Sequence, residues 1–378
     1  MTLPEQVSGE EFDAFKDRLS VLGAGHVHYT MDDASGLARI ELRNPDSRNA
    51  LSGRMMVELA DAVAAVERWH RGVALILTAE GDRAFCAGAD LALARNHLTT
   101  PWDGRLMCAL MTDTLHRLRA LPLVSVAAVK GPAVGGGAEL STACDYRVMS
   151  SAAHIRFVQV KMGVSTGWGG AARLTRIVGS RQALRLLAWG EQLSASAAQQ
   201  LGLVDLVTEE GEDAETSANT FLEPLTTQPN WRAVRAVKAA VAAASAIPEE
   251  NVLAERAAFI SVWGGDHNRS VLEKGVKPAS LLPLLRPLEQ QLHRLPPLLL
   301  LQQPFMLLAL PEQLRHVLPQ LLPLPLKELL APLKLLRCVL LLLLPLPPRP
   351  LVDVQLRHVA AWASTDDENW AQRRRVVV

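Results

Sequence analysis

A run of three glycines between an apolar segment and a short amphipathic one constrains this chain more than any other feature. Residues 123–129 have the pattern of a buried strand, and residues 138–144 have that of a helix. Glycines at such a junction let the backbone pass close to another group and leave N–H donors pointing outward, beside the positive end of a helix. Residues 135–137 are therefore suited to hold an anionic oxygen, with Glu139 one helical turn beyond Gly136. A tight turn without chemistry is the alternative.

The composition excludes several function classes. The chain has 378 residues, and its 39 basic and 39 acidic residues give no net charge, which disfavours nucleic acid as a partner. Its four cysteines show no paired spacing, so we expect a reducing compartment and no metal site. The acidic N-terminal segment fits neither a signal peptide nor a transit peptide, and the cytosol is the expected location. Uninterrupted apolar runs are shorter than the about 18 residues of a membrane span, so no membrane association is predicted.

The segments before the glycines predict alternating strands and helices. Residues 27–42 suggest a hairpin, which is followed by a helix capped by Ser52 and by a buried strand at residues 73–78. Apolar residues recur along that helix at three- and four-residue steps, the period of a helix buried on one side. The order strand, helix, strand indicates a right-handed crossover unit. We therefore predict a fold of the α/β class.

A second loop, at residues 84–91, is also built of small side chains. It ends in Asp90, which can cap the next helix, and the N–H of Ala89 is a candidate donor because a ligand can reach the backbone there. Cys86 is expected to be a buried small residue rather than a nucleophile, since no histidine–aspartate arrangement accompanies it. If the N–H groups of Ala89 and Gly136 converge on one oxygen, they form an oxyanion hole for a thioester carbonyl.

The two loops, FCAGADL at residues 85–91 and GPAVGGGAEL at residues 131–140, resemble the corresponding loops of the crotonase superfamily and occur in the same order. This is the superfamily of enoyl-CoA hydratases and isomerases, and the resemblance runs from about residue 27 to residue 275. It implies a spiral of ββα units, a C-terminal helical region that mediates oligomerisation, and an acyl-CoA substrate. It also implies a homotrimer or hexamer that needs no cofactor apart from the CoA carried by the substrate.

The same resemblance implies a domain plan and a CoA-binding surface. Residues 1–26 would form an N-terminal arm, residues 27–210 the spiral core with the active site, and residues 211–275 the helical oligomerisation region. The residues that the likeness predicts to contact CoA are Asn49, Ala50 and Leu51, together with Cys86, Gly88, Ala89, Asp90 and Leu91 of the second loop.

The residue at position 159 separates the reactions found in this superfamily. Hydratases of the superfamily use two glutamates, one like Glu139 and a second in a position that, counted back from Gly169 and Gly170, holds Gln159 here. Adding water to a double bond requires a group that exchanges a proton near neutral pH, which a carboxamide cannot do. The simple isomerases rely on the same second carboxylate, and residues 151–180 contain no aspartate or glutamate. The sequence therefore argues against both hydratase and isomerase activity.

Decarboxylation of a malonyl-type thioester fits the residues that remain. Loss of CO2 leaves a thioester enolate, so the reaction needs an oxyanion hole and an apolar slot for the carboxylate, without a metal or a strong base. The runs IVGSRQAL at residues 177–184 and VWGG at residues 262–265 resemble the branch of the superfamily that decarboxylates ethylmalonyl-CoA. Ethylmalonyl-CoA and methylmalonyl-CoA are the substrates that this resemblance implies.

On this hypothesis the N–H groups of Ala89 and Gly136 hold the thioester oxygen. Glu139 lies near the acyl carbon, where it either disfavours the substrate carboxylate or orders a proton donor. Gln159 and Trp168 shape the carboxylate side, with plain packing at a helix start as the alternative for Trp168. The alternative for the chain as a whole is a non-catalytic or altered crotonase-fold protein, and a hydratase or isomerase is the weakest candidate.

The last segment of the chain, residues 276–378, differs in character from the rest. Leucine and proline dominate it, and no run in it resembles the superfamily. It is interpreted either as sequence translated from a shifted frame or unspliced message, or as an apolar docking segment. Its repetitive Leu/Pro sequence favours the first interpretation. We predict that this Leu/Pro-rich tail is not part of the family fold.

Overall fold

The computed structural model describes residues 8–227 and 230–274. The strands, in chain order, are β1 (His26–Asp32), β2 (Leu37–Arg43), β3 (Ala74–Ala79), β4 (Val124–Val129), β5 (Ala133–Val134), β6 (Tyr146–Met149), β7 (His154–Arg156), β8 (Gln192–Ser194) and β9 (Leu206–Val207). The helices are α1 (Gly9–Ser20), α2 (Gly53–Glu67), α3 (Leu91–His97), α4 (Pro101–Ala120), α5 (Gly136–Ser141), α6 (Gly170–Trp189), α7 (Ala195–Gln200), α8 (Ala214–Thr226), α9 (Trp231–Ala244), α10 (Glu249–Val262) and α11 (Asp266–Lys274). The tail at residues 276–378 lies outside the described residues.

The larger sheet has the strand order β1-β2-β3-β4-β6-β9. Strands β1 and β2 form the predicted antiparallel hairpin, and the remaining neighbours pair in parallel. The register places Ile40 opposite Leu77 and Leu77 opposite Ala127. Parallel neighbours require crossover connections, and α2 and α4 supply them on the way to β3 and β4. The predicted α/β class and the crossover unit are confirmed.

Alternate residues of the central strands pack into separate cores. Leu75 and Leu77 of β3 join the large cluster that includes α2 and α4, whereas Ala74 and Ile76 join a smaller cluster with α8. Side chains of a strand point alternately to opposite faces, so each strand contributes to both cores. Every residue of β3 is buried, which explains why its sequence is continuously apolar rather than alternating.

The smaller sheet has the strand order β5-β7-β8 and adjoins the triple glycine. Strand β5 pairs in parallel with β7, which pairs antiparallel with β8. The sequence did not predict this sheet, because β5 has two residues and β7 and β8 have three each, too few to show a period. The sheet holds β5 directly before α5, and it therefore fixes where the glycine-rich turn points.

Helix α6 contains a break: it continues on both sides of Gly179, while Gly179 itself has φ of 78° and ψ of 157°. Helix α11 was not predicted from the sequence. In the part of the chain that the structure describes, no helix combines the length and the apolar character of a membrane span.

Candidate active site

The two small-residue loops meet through backbone hydrogen bonds. Cys86 forms an isolated parallel bridge with Ala133, and the N–H of Val134 donates to the carbonyl of Cys86 at 2.9 Å. A Cβ added at Gly137 would lie 2.0 Å from the carbonyl oxygen of Cys86, so only glycine permits this approach. The first and second loops predicted from the sequence are therefore brought into direct contact.

The N–H of Ala89 points away from Leu51, the residue with which Ala89 forms an isolated parallel bridge. Leu51 donates to the carbonyl of Gly88 at 2.8 Å and accepts from the N–H of Asp90 at 3.0 Å. In a parallel bridge the residue between these two partners, Ala89, directs its own N–H to the opposite side. Within the described residues no hydrogen bond uses this N–H as a donor.

Gly136 supplies the second predicted donor from the start of α5. It is the first residue of that helix, and the N–H groups of a first helical turn have no partner within the helix. The two loops approach closely at this point, since a Cβ added at Gly88 would lie 2.9 Å from the nitrogen of Gly136. The donors at Ala89 and Gly136 thus come from adjacent loops, and their action as an oxyanion hole stays a prediction.

Glu139 lies one turn into α5 and is buried, with 2 % of its surface exposed. Its Oε1 accepts from Nε2 of Gln159 at 2.7 Å, and its Oε2 accepts from the backbone N–H groups of Trp168 and Gly170, both at 2.9 Å. A Cβ added at Gly170 would lie 2.5 Å from Oε2, so glycine at the start of α6 makes room for the carboxylate. Glu139 and Gln159, both predicted site residues, are therefore directly bonded.

The environment of Glu139 opposes its ionisation. Burial is the largest effect and the negative charge of Glu255 is the next, and together they raise the pKa of Glu139 from 4.5 to about 7. The positive charge of Arg173 and the hydrogen bonds from Gln159 and Trp168 act in the opposite direction. A carboxyl group in this balance exists in both protonation states near neutral pH, as a group that transfers protons must.

Gln159 and Trp168 occupy different surroundings. Gln159 is half-buried, and its Oε1 is a buried acceptor without a hydrogen-bond partner among the described residues. Trp168 is 3 % exposed, and its indole lies over Gly136, where an added Cβ would be 2.3 Å from Cζ3 of the ring. Trp168 therefore packs as a core residue while its backbone N–H donates a hydrogen bond to Glu139. Its predicted role in shaping the carboxylate side of the substrate stays a prediction.

The residues predicted to contact CoA are placed as follows. Asn49 is buried, and its side chain donates to the carbonyls of Glu80 and Ala84 while accepting from the N–H of Asn44, so its amide ties the loop together. Ala50 and Leu51 are buried, Asp90 caps α3, and Leu91 is exposed. Contact between this surface and CoA stays a prediction.

Cys86 has the environment of a structural residue. The residue is fully buried, and burial raises the pKa of its thiol to about 12. The thiolate that a nucleophile needs is therefore scarce near neutral pH. This agrees with the expectation that Cys86 is a small buried residue.

A cavity of about 630 Å3 lies between α6, α10 and the turn that carries Gln159. Its lining is mostly apolar or small, and includes Val164, Ala171, Leu187 and Ala254. Two polar lining residues, Gln159 and Glu255, also act on Glu139, the first through a hydrogen bond and the second through its charge. Thr175, Arg176 and Asn251 also line it, so its wall is partly polar.

Two charged residues near Glu139 were not found by sequence reasoning. Glu255 of α10 accepts from the N–H groups of Ala171 and Ala172 at 3.2 and 3.1 Å. Arg173 is 3 % exposed and donates through Nη2 to the backbone carbonyls of Glu139 and Trp168. The signal that could have indicated Glu255 is the absence of a capping side chain before α6, which begins after Gly169.

The run at residues 262–265 fastens the C-terminal helices beside this site. The indole of Trp263 stacks on Phe259 and donates to the carbonyl of Leu98 at 3.1 Å. Asn268 of α11 accepts from the N–H of Gly264 at 3.0 Å and donates to the carbonyl of Met162 at 2.9 Å. Because residues 159–162 form a 3-10 turn, Asn268 connects α11 to the turn that presents Gln159.

Comparison with known proteins gives a family and a fold. A sequence profile described as enoyl-CoA hydratase/isomerase matches residues 32–276. Ethylmalonyl-CoA decarboxylase of Xenopus laevis is 41% identical over 266 residues, which cover 69% of this chain and 87% of that protein. The human protein of the same name is 37% identical over 262 residues, which cover 68% of this chain and 84% of its own.

Solved structures give the same fold. An enoyl-CoA hydratase from Mycobacterium avium subsp. paratuberculosis K-10 superimposes with a TM-score of 0.59 at 23% identity, and the match covers 66% of this chain and 99% of that one. An enoyl-CoA hydratase from Bacillus anthracis has a TM-score of 0.54 at 26% identity, over 71% of this chain and 97% of that one. The predicted crotonase-like architecture with a helical C-terminal part is confirmed.

Proposed function

The chain belongs to the enoyl-CoA hydratase/isomerase family, and within it we propose that the protein is an acyl-CoA decarboxylase that acts on ethylmalonyl-CoA and on methylmalonyl-CoA. The observation that carries the proposal is the hydrogen bond from the Gln159 amide to Glu139, because the resemblance to hydratases assigns their second carboxylate to position 159. Relatives named ethylmalonyl-CoA decarboxylase, 41% and 37% identical to this chain, support the same reaction.

The first step of the proposed reaction breaks the bond between the α-carbon and the carboxylate carbon. The electron pair of that bond enters the thioester, CO2 leaves, and negative charge develops on the thioester oxygen. The N–H groups of Ala89 and Gly136 receive this oxygen, because their loops are held together and neither donor is used within the described residues. Losing one such donor typically costs about 10²–10³ in rate.

In the second step the α-carbon of the enolate receives a proton. We assign this proton to Glu139, since its raised pKa keeps the carboxylic acid populated near neutral pH. The resulting carboxylate is stabilised by the donors at Gln159, Trp168 and Gly170 until it is protonated again from solvent. Over both steps one substrate and one proton give butyryl-CoA and CO2 when the substrate is ethylmalonyl-CoA.

The surroundings of the reaction belong to the same proposal. The CoA moiety lies against the loop at residues 49–51 and against Leu91, which is exposed. The protein works in the cytosol as a homotrimer or hexamer that assembles through residues 211–275. Helix α9 supports this assignment, because Val237 and Val241 expose apolar side chains on its surface.

The test measures CO2 release from ethylmalonyl-CoA by the purified full chain, in parallel with hydration of crotonyl-CoA. We expect release of CO2 with formation of butyryl-CoA, and no hydration. Methylmalonyl-CoA is measured under the same conditions, and its turnover tests the second substrate. Hydration without CO2 release contradicts the proposal, and a folded chain that catalyses neither reaction supports the non-catalytic alternative.

A further inference from the structure

Helix α6 starts at the candidate site without a capping residue of its own. Its N-cap is Gly169, so no side chain of that residue can accept from the first turn. Carboxylates from two other helices take this place: Glu139 of α5 accepts from the N–H of Gly170, and Glu255 of α10 accepts from the next two N–H groups, those of Ala171 and Ala172. The N-terminus of a helix carries a positive partial charge, so the start of α6 can bind both carboxylates.

Glu255 reaches this turn from the far side of the cavity. It lines the cavity together with Gln159, and α10 forms one wall of it. Both oxygens of the Glu255 carboxylate are used, Oε1 by Ala171 and Oε2 by Ala172. Oε2 of Glu139 accepts from two N–H groups at the same place, that of Gly170 in this first turn and that of Trp168 just before the helix. The position of Glu139 therefore depends on a turn that Glu255 helps to hold.

We propose that Glu255 is a positioning residue for Glu139: from α10 it fixes the first turn of α6, which holds the Glu139 carboxyl group, and it places a negative charge beside the cavity. The inference rests on the proposed function in one respect, the role of Glu139 as the proton donor. It adds a second carboxylate to the site, one that acts through Glu139 and not on the substrate.

The charged and titratable groups around Glu139 determine how its pKa changes when Glu255 is removed. Glu255 faces it from α10 and Arg173 from α6, while Cys108 of α4 is a buried thiol whose pKa burial raises, so it carries no charge near neutral pH. Glu255 and Arg173 act on Glu139 with opposite sign. Without the charge of Glu255, burial alone opposes Arg173 and the hydrogen bonds to Glu139, so the pKa of Glu139 falls and the acid form is lost at a lower pH.

The experiment compares Glu255→Gln with Glu250→Gln in the full chain. Glu250 lies on the same helix and is exposed, so its variant is the matched control. Glutamine keeps one acceptor for the α6 turn and removes the charge. We expect the pH at which kcat falls to move down by roughly one unit, a tenfold change in proton concentration, in Glu255→Gln only. If Glu255 had only a structural role, Glu255→Gln would lower kcat equally at all pH values and the pH at which kcat falls would not change. That result overturns the proposal.

A second readout separates this inference from the proposed function. Proteins labelled with [5-13C]glutamate allow the Glu139 carboxyl to be titrated without substrate, and its signal is assigned by its loss in Glu139→Gln. A downward shift in Glu255→Gln supports the positioning role even if the wild type releases no CO2, in which case only the proposed function fails. An unchanged titration overturns the inference. If Glu255→Gln does not fold, Glu255→Asp withdraws the charge by one methylene group, and a smaller downward shift of the Glu139 titration is then expected.

Discussion

The two halves of the candidate site are built in different ways. The donor half consists of backbone N–H groups on two loops, and short-range bonds such as that between Val134 and Cys86 hold it. The acid half consists of side chains from distant segments, with Glu139, Gln159 and Glu255 placed by three separate elements. A site made of backbone N–H groups tolerates most side-chain changes but few changes at glycine. A site made of side chains is disrupted by single substitutions.

The largest expected effect comes from the acid half. Glu139→Gln removes the proton donor but keeps the size of the side chain and one acceptor for the α6 turn. We expect the rate of CO2 release to fall by about 10²–10⁴, because that is the usual contribution of a positioned acid or base. Steady-state kinetics with ethylmalonyl-CoA check this, and circular dichroism confirms that the variant is folded. A fall of less than about tenfold contradicts the role of Glu139.

The donor half should respond almost as strongly to a single methyl group. In Gly137→Ala the new Cβ meets backbone of Cys86, which cannot move aside as a flexible side chain would. We expect the loops to separate and kcat to fall by about 10²–10³, the loss typical of one oxyanion donor. Gly9→Ala is the control, since an added Cβ there has no neighbour within 4 Å. Wild-type kcat in Gly137→Ala would show that the contact of the loops does not position the donors.

A change remote from the chemistry should lower the stability of the fold through the helices that support the acid half. Trp263→Ala removes an indole that is 7% exposed, stacked on Phe259 and bonded to Leu98. Its free energy of unfolding should fall by about 3–5 kcal/mol, the range for a buried aromatic residue. Urea denaturation measures this, with Trp189→Ala as control because Trp189 is 66% exposed. Equal effects of the two substitutions would contradict the anchoring role of Trp263.

The smallest expected effect is a pH dependence of stability. The pKa of Glu139 is raised in the folded state, from 4.5 to about 7, so between these values the folded chain holds a proton that the unfolded chain has lost. The contribution of Glu139 to stability is therefore present below the lower value and is lost as the pH rises through the upper one. Glu139→Gln should flatten this part of the stability curve, measured by urea denaturation across the same interval. Identical slopes in the two proteins would show that Glu139 has an ordinary pKa.

The donor half could be predicted from the sequence, because its signals are local. The glycine run, the small residues at 84–91 and the apolar strands each occupy one short window, and the order strand, helix, strand indicated the crossover unit. The acid half could be predicted only in part. Glu139 and Gln159 lie near recognisable motifs, whereas Glu255 sits on a helix that nothing in its own sequence directs to α6. Contacts between distant segments depend on how the helices pack, which a periodic pattern does not specify.

The break in α6 at Gly179 has a mechanical consequence. In a continuous helix a displacement of one end moves the other, whereas the non-helical φ and ψ of Gly179 put a kink between two parts of α6. One end of α6 holds the carboxylates of Glu139 and Glu255, and the other exposes the side chains of Leu184 and Trp189. We therefore expect a displacement of the exposed part of α6 to be absorbed at Gly179 and not to be transmitted to the turn that holds Glu139.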